Sequence, residues 1–334
     1  MPASRTGFFL SLALLIAAGC DRGEVALSQA APIVGDWHIT LDLGEHKLPI
    51  GLTLHQDNDG YRAVVKNAEE SIEVDDIVVN GDSMTIRMPL YDSDFRGRLE
   101  ADRSFSGVWT NYQKSPDYQI PFKATMGKRA RFNHSAAWMN VTGVWETSFS
   151  PKTDDEYPAI GKFEQSGNVV TGTFITETGD YRFLEGVMDE DSLKLSCFDG
   201  SHAFLFMGKV AKDSIAGRFW SGKHWTEPWV AVRNVNATLA NPDSLTHLKE
   251  GYDMVDFSFV SIDGETISPK NEKYQNKVLC VQVMGTWCPN CVDETRLLNE
   301  LHQKYGHRGF EVIALAFERG NNRTKIAGGL NRFR

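Results

Sequence analysis

Basic charge is in short supply in this chain. Its 334 residues carry 35 Lys and Arg against 44 Asp and Glu, a formal net charge of -9, so no overall positive field exists to hold a phosphate backbone. The densest basic run, Lys128-Arg129-Ala130-Arg131, is too short to supply one. Nucleic acid is therefore not an expected partner. The apolar stretch from Phe8 to Ala18 falls short of the ~20 residues that cross a bilayer comfortably as a permanent helix. Cysteine is scarce, with five residues, of which only Cys288 and Cys291 stand close together. What is present is the composition of folded protein: 41% hydrophobic residues and room for two or three domains.

The first residues read as a targeting signal. Arg5 precedes the apolar run, and Ala17-Ala18-Gly19 stands directly before Cys20. This resembles a bacterial lipoprotein signal peptide, with Ala17 where Leu is most common. The resemblance implies cleavage after residue 19, lipidation of Cys20, and a tether over 20–32 that anchors the chain to a membrane. Asp21 resembles the retention signal of inner-membrane lipoproteins, which slightly favours the inner membrane. Plain secretion with cleavage nearby is the alternative. Either way the mature chain faces an oxidising compartment, the periplasm if the lipoprotein reading holds.

From Ile33 to Val235 apolar and polar residues alternate in short runs. The runs are separated by Asp57-Asn58-Asp59-Gly60, Asn80-Gly81-Asp82, Gly179-Asp180 and Asp199-Gly200. Period two at that turn spacing predicts antiparallel β-structure. The region also repeats itself. Gly35-Asp36-Trp37 returns as Gly143-Val144-Trp145, and Asp82-Ser83-Met84 as Asp191-Ser192-Leu193. Gly97-Arg98-Leu99 returns as Gly208-Lys209-Val210, and Phe105 to Trp109 as Ile215 to Phe219. The offsets run from 108 to 111 residues and keep their order, which predicts two copies of one β-unit, over 33–132 and 133–235. The Gly-x-Trp opening resembles lipocalin-type barrels. That resemblance has the Trp closing a barrel end and the glycine admitting a neighbouring backbone; β-sandwiches with Trp37 and Trp145 in their cores are the other reading. A pocket for a small apolar ligand inside the units, and a binding face formed by Phe219, Trp220, His224, Trp225 and Trp229, are weaker expectations. Alternate strand packing accounts for those aromatics as well.

Residues 236–256 read as a polar linker with one short helix near Asn241-Pro242-Asp243. Beyond it Phe257 to Ser268 reads as a hairpin, Val278 to Met284 as an apolar strand, and Phe310 to Phe317 as a second strand after the turn at Gly309. Between the two strands stands Gly285-Thr286-Trp287-Cys288-Pro289-Asn290-Cys291, followed by a helical pattern with Leu297, Leu298 and Leu301 as its apolar stripe. Two cysteines two residues apart, where a strand feeds a helix, make a dithiol fit for thiol-disulfide exchange. A helix starting at Pro289 puts Cys288 at its N-cap, where free N-H groups and the helix dipole favour a thiolate. Pro289 suits the first turn, because its φ is already helical and its missing N-H would have no partner there. Cys291, about one turn on, can attack a mixed disulfide at Cys288. Cys288 is thus the expected nucleophile and Cys291 the resolving thiol.

The hairpin, Lys277, the strand and the Thr-Trp-Cys-x-x-Cys motif together resemble the TlpA/ResA-like family of membrane-tethered thioredoxins. The resemblance covers residues 257–334, roughly the last quarter of the chain. It implies a thioredoxin-like α/β domain in which Trp287 shields the cysteine pair and Glu294 relays protons to it. An exposed first-turn glutamate is the plainer reading of Glu294. It also implies thiols or disulfides of exported proteins as partners, a membrane electron donor, and no cofactor beyond the cysteines. A thioredoxin fold continues with further strands and a cis-proline. No proline follows Pro289, so the sequence predicts only the N-terminal half of the domain, truncated at Arg334. No metal site is expected: in a helix from Pro289, His302 stands ~16 Å along the axis from Cys291, too far to share a zinc ion. The peroxiredoxin pattern Pro-x-x-x-Thr-x-x-Cys has no match at either cysteine. Cys280 reads as a buried inert thiol, with a Cys197–Cys280 bridge as the alternative.

The expected architecture is multidomain α+β, two antiparallel β-units followed by a partial thioredoxin-like domain. The expected function is that of a protein disulfide reductase or oxidoreductase. The rival reading is a non-catalytic β-rich binding lipoprotein with a vestigial thioredoxin segment.

Overall fold

The structure, a computed structural model, describes residues 33–318 and 328–330. The expected leader, the Cys20 lipidation site and the 20–32 tether lie outside the described residues, as does most of the chain beyond Glu318, where the expected truncation falls. Among the described residues no helix is long and apolar enough to cross a membrane.

Alternation in sequence becomes alternation in burial. Along Gly35–Asp42, Trp37, Ile39 and Leu41 are buried while His38, Thr40 and Asp42 are not, the signature of a strand with one face on a core. Nine strands between Gly35 and Met126 build one antiparallel sheet in which Gly35–Asp42 lies between Lys47–Asp57 and Gln119–Met126. Its edge strands, Glu70–Val74 and Asp76–Asn80, follow one another across Asp75 without pairing. The first unit is therefore a barrel left open along one seam. In the second unit the seam is shut. The strand Tyr157–Ser166 pairs with Val169–Thr176, which in turn pairs with Leu184–Asp189, and Trp225–Arg233 returns to Gly143–Phe149. The result is a closed ring of eight antiparallel strands, with the two-residue strand Gly179–Asp180 beside it.

The two units repeat down to single hydrogen bonds. Trp37 Nε1 donates to the Ile33 carbonyl and Trp145 Nε1 to the Val141 carbonyl, each at 2.8 Å. Gly35 and Gly143 share φ values of 129° and 126°. This corrects one expectation: the glycine before each Trp is needed for its positive φ, since the nearest atom to a Cβ on Gly35 would be a Met126 methyl at 3.9 Å. Close backbone approach occurs elsewhere, where Gly97 faces Gly107. A Cβ on either would lie about 2 Å from a carbonyl oxygen of the facing strand. Barrels, not stacked sandwiches, are the outcome. They are filled by side chains: Phe95, Phe105 and Trp109 in the first, Phe149, Phe174, Phe206 and Trp229 in the second. The cavity among Trp37, Leu52, Met84 and Phe105 in the first unit is only about 10 Å³, with no room there for a small apolar ligand. Phe219 and Trp229 are buried, as alternate strand packing requires; Trp225, on the same face as Trp229 but at the start of its strand, is 48% exposed.

The units interlock. The hairpin Phe198 to Ala203 of the second unit enters the first, and Phe198 packs 5.3 Å from Phe95 and 5.2 Å from Trp109. Buried Asn67 acts as a substitute strand residue for it, donating to the Phe198 carbonyl (2.8 Å) and accepting from the Phe198 N-H (3.1 Å). Asn111 Nδ2 donates to the Ser201 carbonyl at 2.9 Å. Arg131, from the basic run, is buried between the units and donates to Ser196 Oγ and the Pro49 carbonyl.

Residues 240–256 are exposed almost throughout, with one helical turn, Pro242–Leu245, capped by Asn241. The short strands Phe259–Val260 and Thr266–Ile267 form the expected hairpin. The parallel strands Val278–Met284 and Phe310–Ala316, joined through the helix Pro289–Tyr305, complete the described chain. Leu298 is buried but Leu297 is 55% exposed, so the apolar stripe is narrower than its sequence suggested.

Candidate active site at the cysteine pair

Strand Val278–Met284 delivers the chain through Gly285 and Thr286 to Trp287, and Cys288 becomes the N-cap of the 17-residue helix from Pro289. Its φ of -105° and ψ of 109° are extended, as an N-cap requires. Cys288 Sγ accepts a hydrogen bond from the Cys291 N-H at 3.2 Å, so one of the helix's unpaired donors points at the sulfur. Cys288 and Cys291 are joined as a disulfide with Cα atoms 5.3 Å apart. The loop before them is tied down. The Cys288 N-H donates to the Gly285 carbonyl (3.1 Å), and Trp287 Nε1 to the Phe317 carbonyl (2.9 Å). Thr286 donates through both N-H and Oγ1 to the Glu318 carboxylate, at 2.7 Å each.

Beneath the helix lies a residue that sequence reading passed over. Gln282 is 3% exposed in an otherwise apolar strand. Its Nε2 donates to Glu294 Oε2 (3.0 Å), to Thr295 Oγ1 (3.1 Å) and to the Cys291 carbonyl (3.4 Å). Thr295 Oγ1 donates to the same carbonyl at 2.7 Å. Glu294, itself exposed, is thereby fixed on the turn that carries Cys291. The polar letter within Val-Leu-Cys-Val-Gln-Val-Met was a legible signal, because a buried amide must find partners.

Among the described residues the other two cysteines, Cys197 and Cys280, are free, and no bridge joins them. Cys197 is wholly buried, and burial together with the charge of Asp199 pushes its thiol up. Cys280 is only partly buried, a correction to the expectation; burial and the Glu294 charge raise its pKa. His302 lies 3.6 Å from Glu311, eleven residues and so ~16 Å along the helix from Cys291. Among the described residues no group of three His, Cys, Asp or Glu side chains is arranged to hold a metal.

The β-units reach the dithiol. Gln113 Nε2 donates to the Thr286 carbonyl (3.3 Å) and Ser201 Oγ to the Trp287 carbonyl (3.2 Å). The Asn290 side chain meets Asp180: in the amide orientation that satisfies both groups it accepts from the Asp180 N-H at 3.0 Å and donates to Oδ1 at 3.2 Å. Gly179 makes room, since a Cβ there would lie 2.2 Å from the Asn290 amide. Arg182, 8% exposed, binds Asp293 on the helix and Glu70 of the first unit, the latter at 2.6 Å, with Asp199 at 3.9 Å. Burial opposes its charge, but the hydrogen bond to Asp293 and the charges of Glu70 and Asp199 outweigh it and hold the guanidinium above its ordinary pKa. Burial likewise works against ionised Asp199, yet His202 and Arg182 hold its carboxyl below the usual range. Nothing in the sequence pattern pointed to Gln113, Asp180, Arg182 or Ser201, which come from distant parts of the chain.

Residues 249–325 match the Redoxin family model. Over 65 residues, 20% of this chain, the sequence is 34% identical to the thiol-disulfide oxidoreductase ResA of Bacillus thuringiensis subsp. konkukian (strain 97-27) and 35% identical to ResA of Bacillus anthracis. The chain spans 36% of the length of these curated relatives. Two solved structures align with part of the chain. One is a Bacteroides fragilis chain, 12% identical over 60% of this chain and 98% of that one, at a TM-score of 0.23. The other is Burkholderia oklahomensis agglutinin, 7% identical over 62% and 98%, at 0.17. Similarity at that level assigns the β-units to no family. The C-terminal segment is a thioredoxin-like, Redoxin-type segment. Within that class its similarity is to the TlpA/ResA-like thiol-disulfide oxidoreductases.

Proposed function

We propose that the chain exchanges disulfides with cysteines of exported proteins through Cys288 and Cys291. Cys288 is the nucleophile, Cys291 the resolving thiol, and Trp287, Pro289 and Glu294 support them. The observation that carries this reading is the Cys288 sulfur at a helix N-terminus, accepting the Cys291 N-H and bonded to the Cys291 sulfur. In the reducing direction the Cys288 thiolate attacks a substrate disulfide, one S-S bond breaks, and a mixed disulfide forms as one substrate thiolate leaves. Cys291 loses its proton and attacks the Cys288 sulfur, releasing the second substrate thiolate. Two electrons have then passed to the substrate, and the pair is left as the disulfide. The reverse sequence oxidises a substrate dithiol. The leader reading adds a periplasm-facing lipoprotein anchored at Cys20, in the inner membrane if Asp21 acts as a retention signal, with a membrane partner re-reducing the pair.

Redox titration of the chain from Asp21 onward in glutathione or dithiothreitol buffers tests this, with alkylated Cys288 and Cys291 counted by mass spectrometry. A single two-electron transition is expected; a midpoint near about -270 mV marks a reductase and one near about -120 mV an oxidant. Absence of a cooperative transition, or scrambling with Cys197 and Cys280, would favour the β-rich binding lipoprotein instead.

A further inference from the structure

We propose that the β-units act as a size filter on this exchange, an inference that rests on the reading above. They wall one flank of Cys288 and confine its substrates to cysteines in short or extended segments, excluding disulfides set in folded surfaces.

The wall is built from residues on both sides of the nucleophile. The carbonyls of Thr286 and Trp287, just before it, are held by Gln113 and Ser201. Asn290, just after it, is held by Asp180, and Asp293, one helical turn further, by Arg182. These four anchors come from three separate loops, so the flank is covered by a surface and not by a single side chain. Sulfur exchange needs the attacking sulfur in line with the two sulfurs of the target bond, which draws the substrate chain beside its cysteine across the residues next to Cys288. With one side occupied and Cys288 itself only partly exposed, a thin chain can pass where a folded surface cannot. The wall is held firmly at its own end, since Arg182 is buried and also binds Glu70 of the first unit. The dithiol's end is held lightly: Asp293 is 46% exposed, and the connection through 240–256 is exposed almost throughout. Weakening the Asp293 contact should therefore open the flank without unfolding the barrels.

Two maleimides test this on the reduced full chain, one small and one carried on a long polyethylene glycol. Loss of unmodified Cys288 peptide is followed by mass spectrometry, and the small-to-large rate ratio is compared with that of the urea-unfolded chain. The expected ratio is at least about fivefold higher in the folded chain, the size of effect that roughly 1 kcal/mol of docking produces. Asp293→Asn should move the ratio toward the unfolded value. An equal ratio in folded and unfolded chains, alongside a working glutathione transition, refutes the filter alone. A chain with no glutathione transition refutes the exchange reading and the filter with it.

Discussion

Replacing Arg182 by Met should reveal how much of the assembly hangs on one buried cation. Arg182 is 8% exposed, and its partners Glu70 and Asp199 are 13% and 2% exposed; removing it leaves two carboxylates in a poorly solvated place with no guanidinium between them. Taking one partner from a buried ion pair costs about 3–5 kcal/mol. The Asp293 contact adds little to that figure, because its carboxylate is nearly half exposed. The loss should depend on pH with a definite sign. Asp199 titrates below its ordinary 3.8 in the folded chain, so it contributes stability that is present above that value and lost as pH falls through its lowered folded pKa. In Arg182→Met part of that contribution is gone. The deficit should thus be full near neutrality and narrow once pH drops below about 4. Arg182→Met with Asp199→Asn should recover part of it, since the substituted side-chain amide keeps an Oδ1 to accept the Ser201 and His202 N-H groups now bonded there. Urea denaturation followed by Trp fluorescence, from acid to neutral pH, measures all of this. A deficit under about 1 kcal/mol, or one unchanged from neutral to acid pH, would refute the reasoning, since both follow from a buried cation holding buried carboxylates.

Two further outcomes are expected. Phe198→Ala empties a ring site inside the first barrel and should cost about 3–5 kcal/mol, split the unfolding of the two units, and leave the second unit's own transition in place; a single unshifted transition in calorimetry would contradict the interlock. Tyr181, whose hydroxyl shares a hydrogen bond with that of Tyr157 in the second barrel, is pushed up to about 12 from 10.0, mainly by burial. Its folded pKa is raised, so its contribution, on the order of 2–3 kcal/mol, is present below pH 10 and lost between pH 10 and 12. Tyr181→Phe should therefore blunt the alkaline loss of stability seen in urea titrations over that range, and an unchanged alkaline limb would count against it.

Period two, the turn residues and the offset of 108 to 111 residues were enough to predict two copies of one antiparallel unit, because strand alternation and turn chemistry are local. The N-cap place of Cys288, the helix start at Pro289 and the left-handed turn at Gly309, with φ 89°, were legible for the same reason. Local pattern could not decide between barrel and sandwich: that depends on whether the last strand meets the first, and Gly143–Phe149 meets Trp225–Arg233 through residues 80 to 88 apart in the chain. Nor could it find the surroundings of the dithiol. Gln282 left a trace, a polar residue in an apolar strand, but Gln113, Asp180, Arg182 and Ser201 look like ordinary loop residues until folding brings them to Thr286, Trp287, Asn290 and Asp293. Local sequence was enough to place the cysteine pair at a helix N-terminus, since a strand, a helix start and two thiols lie within one short stretch. What stands beside that pair is set by folding, because contacts from loops distant in the chain exist only once the barrels have closed and interlocked.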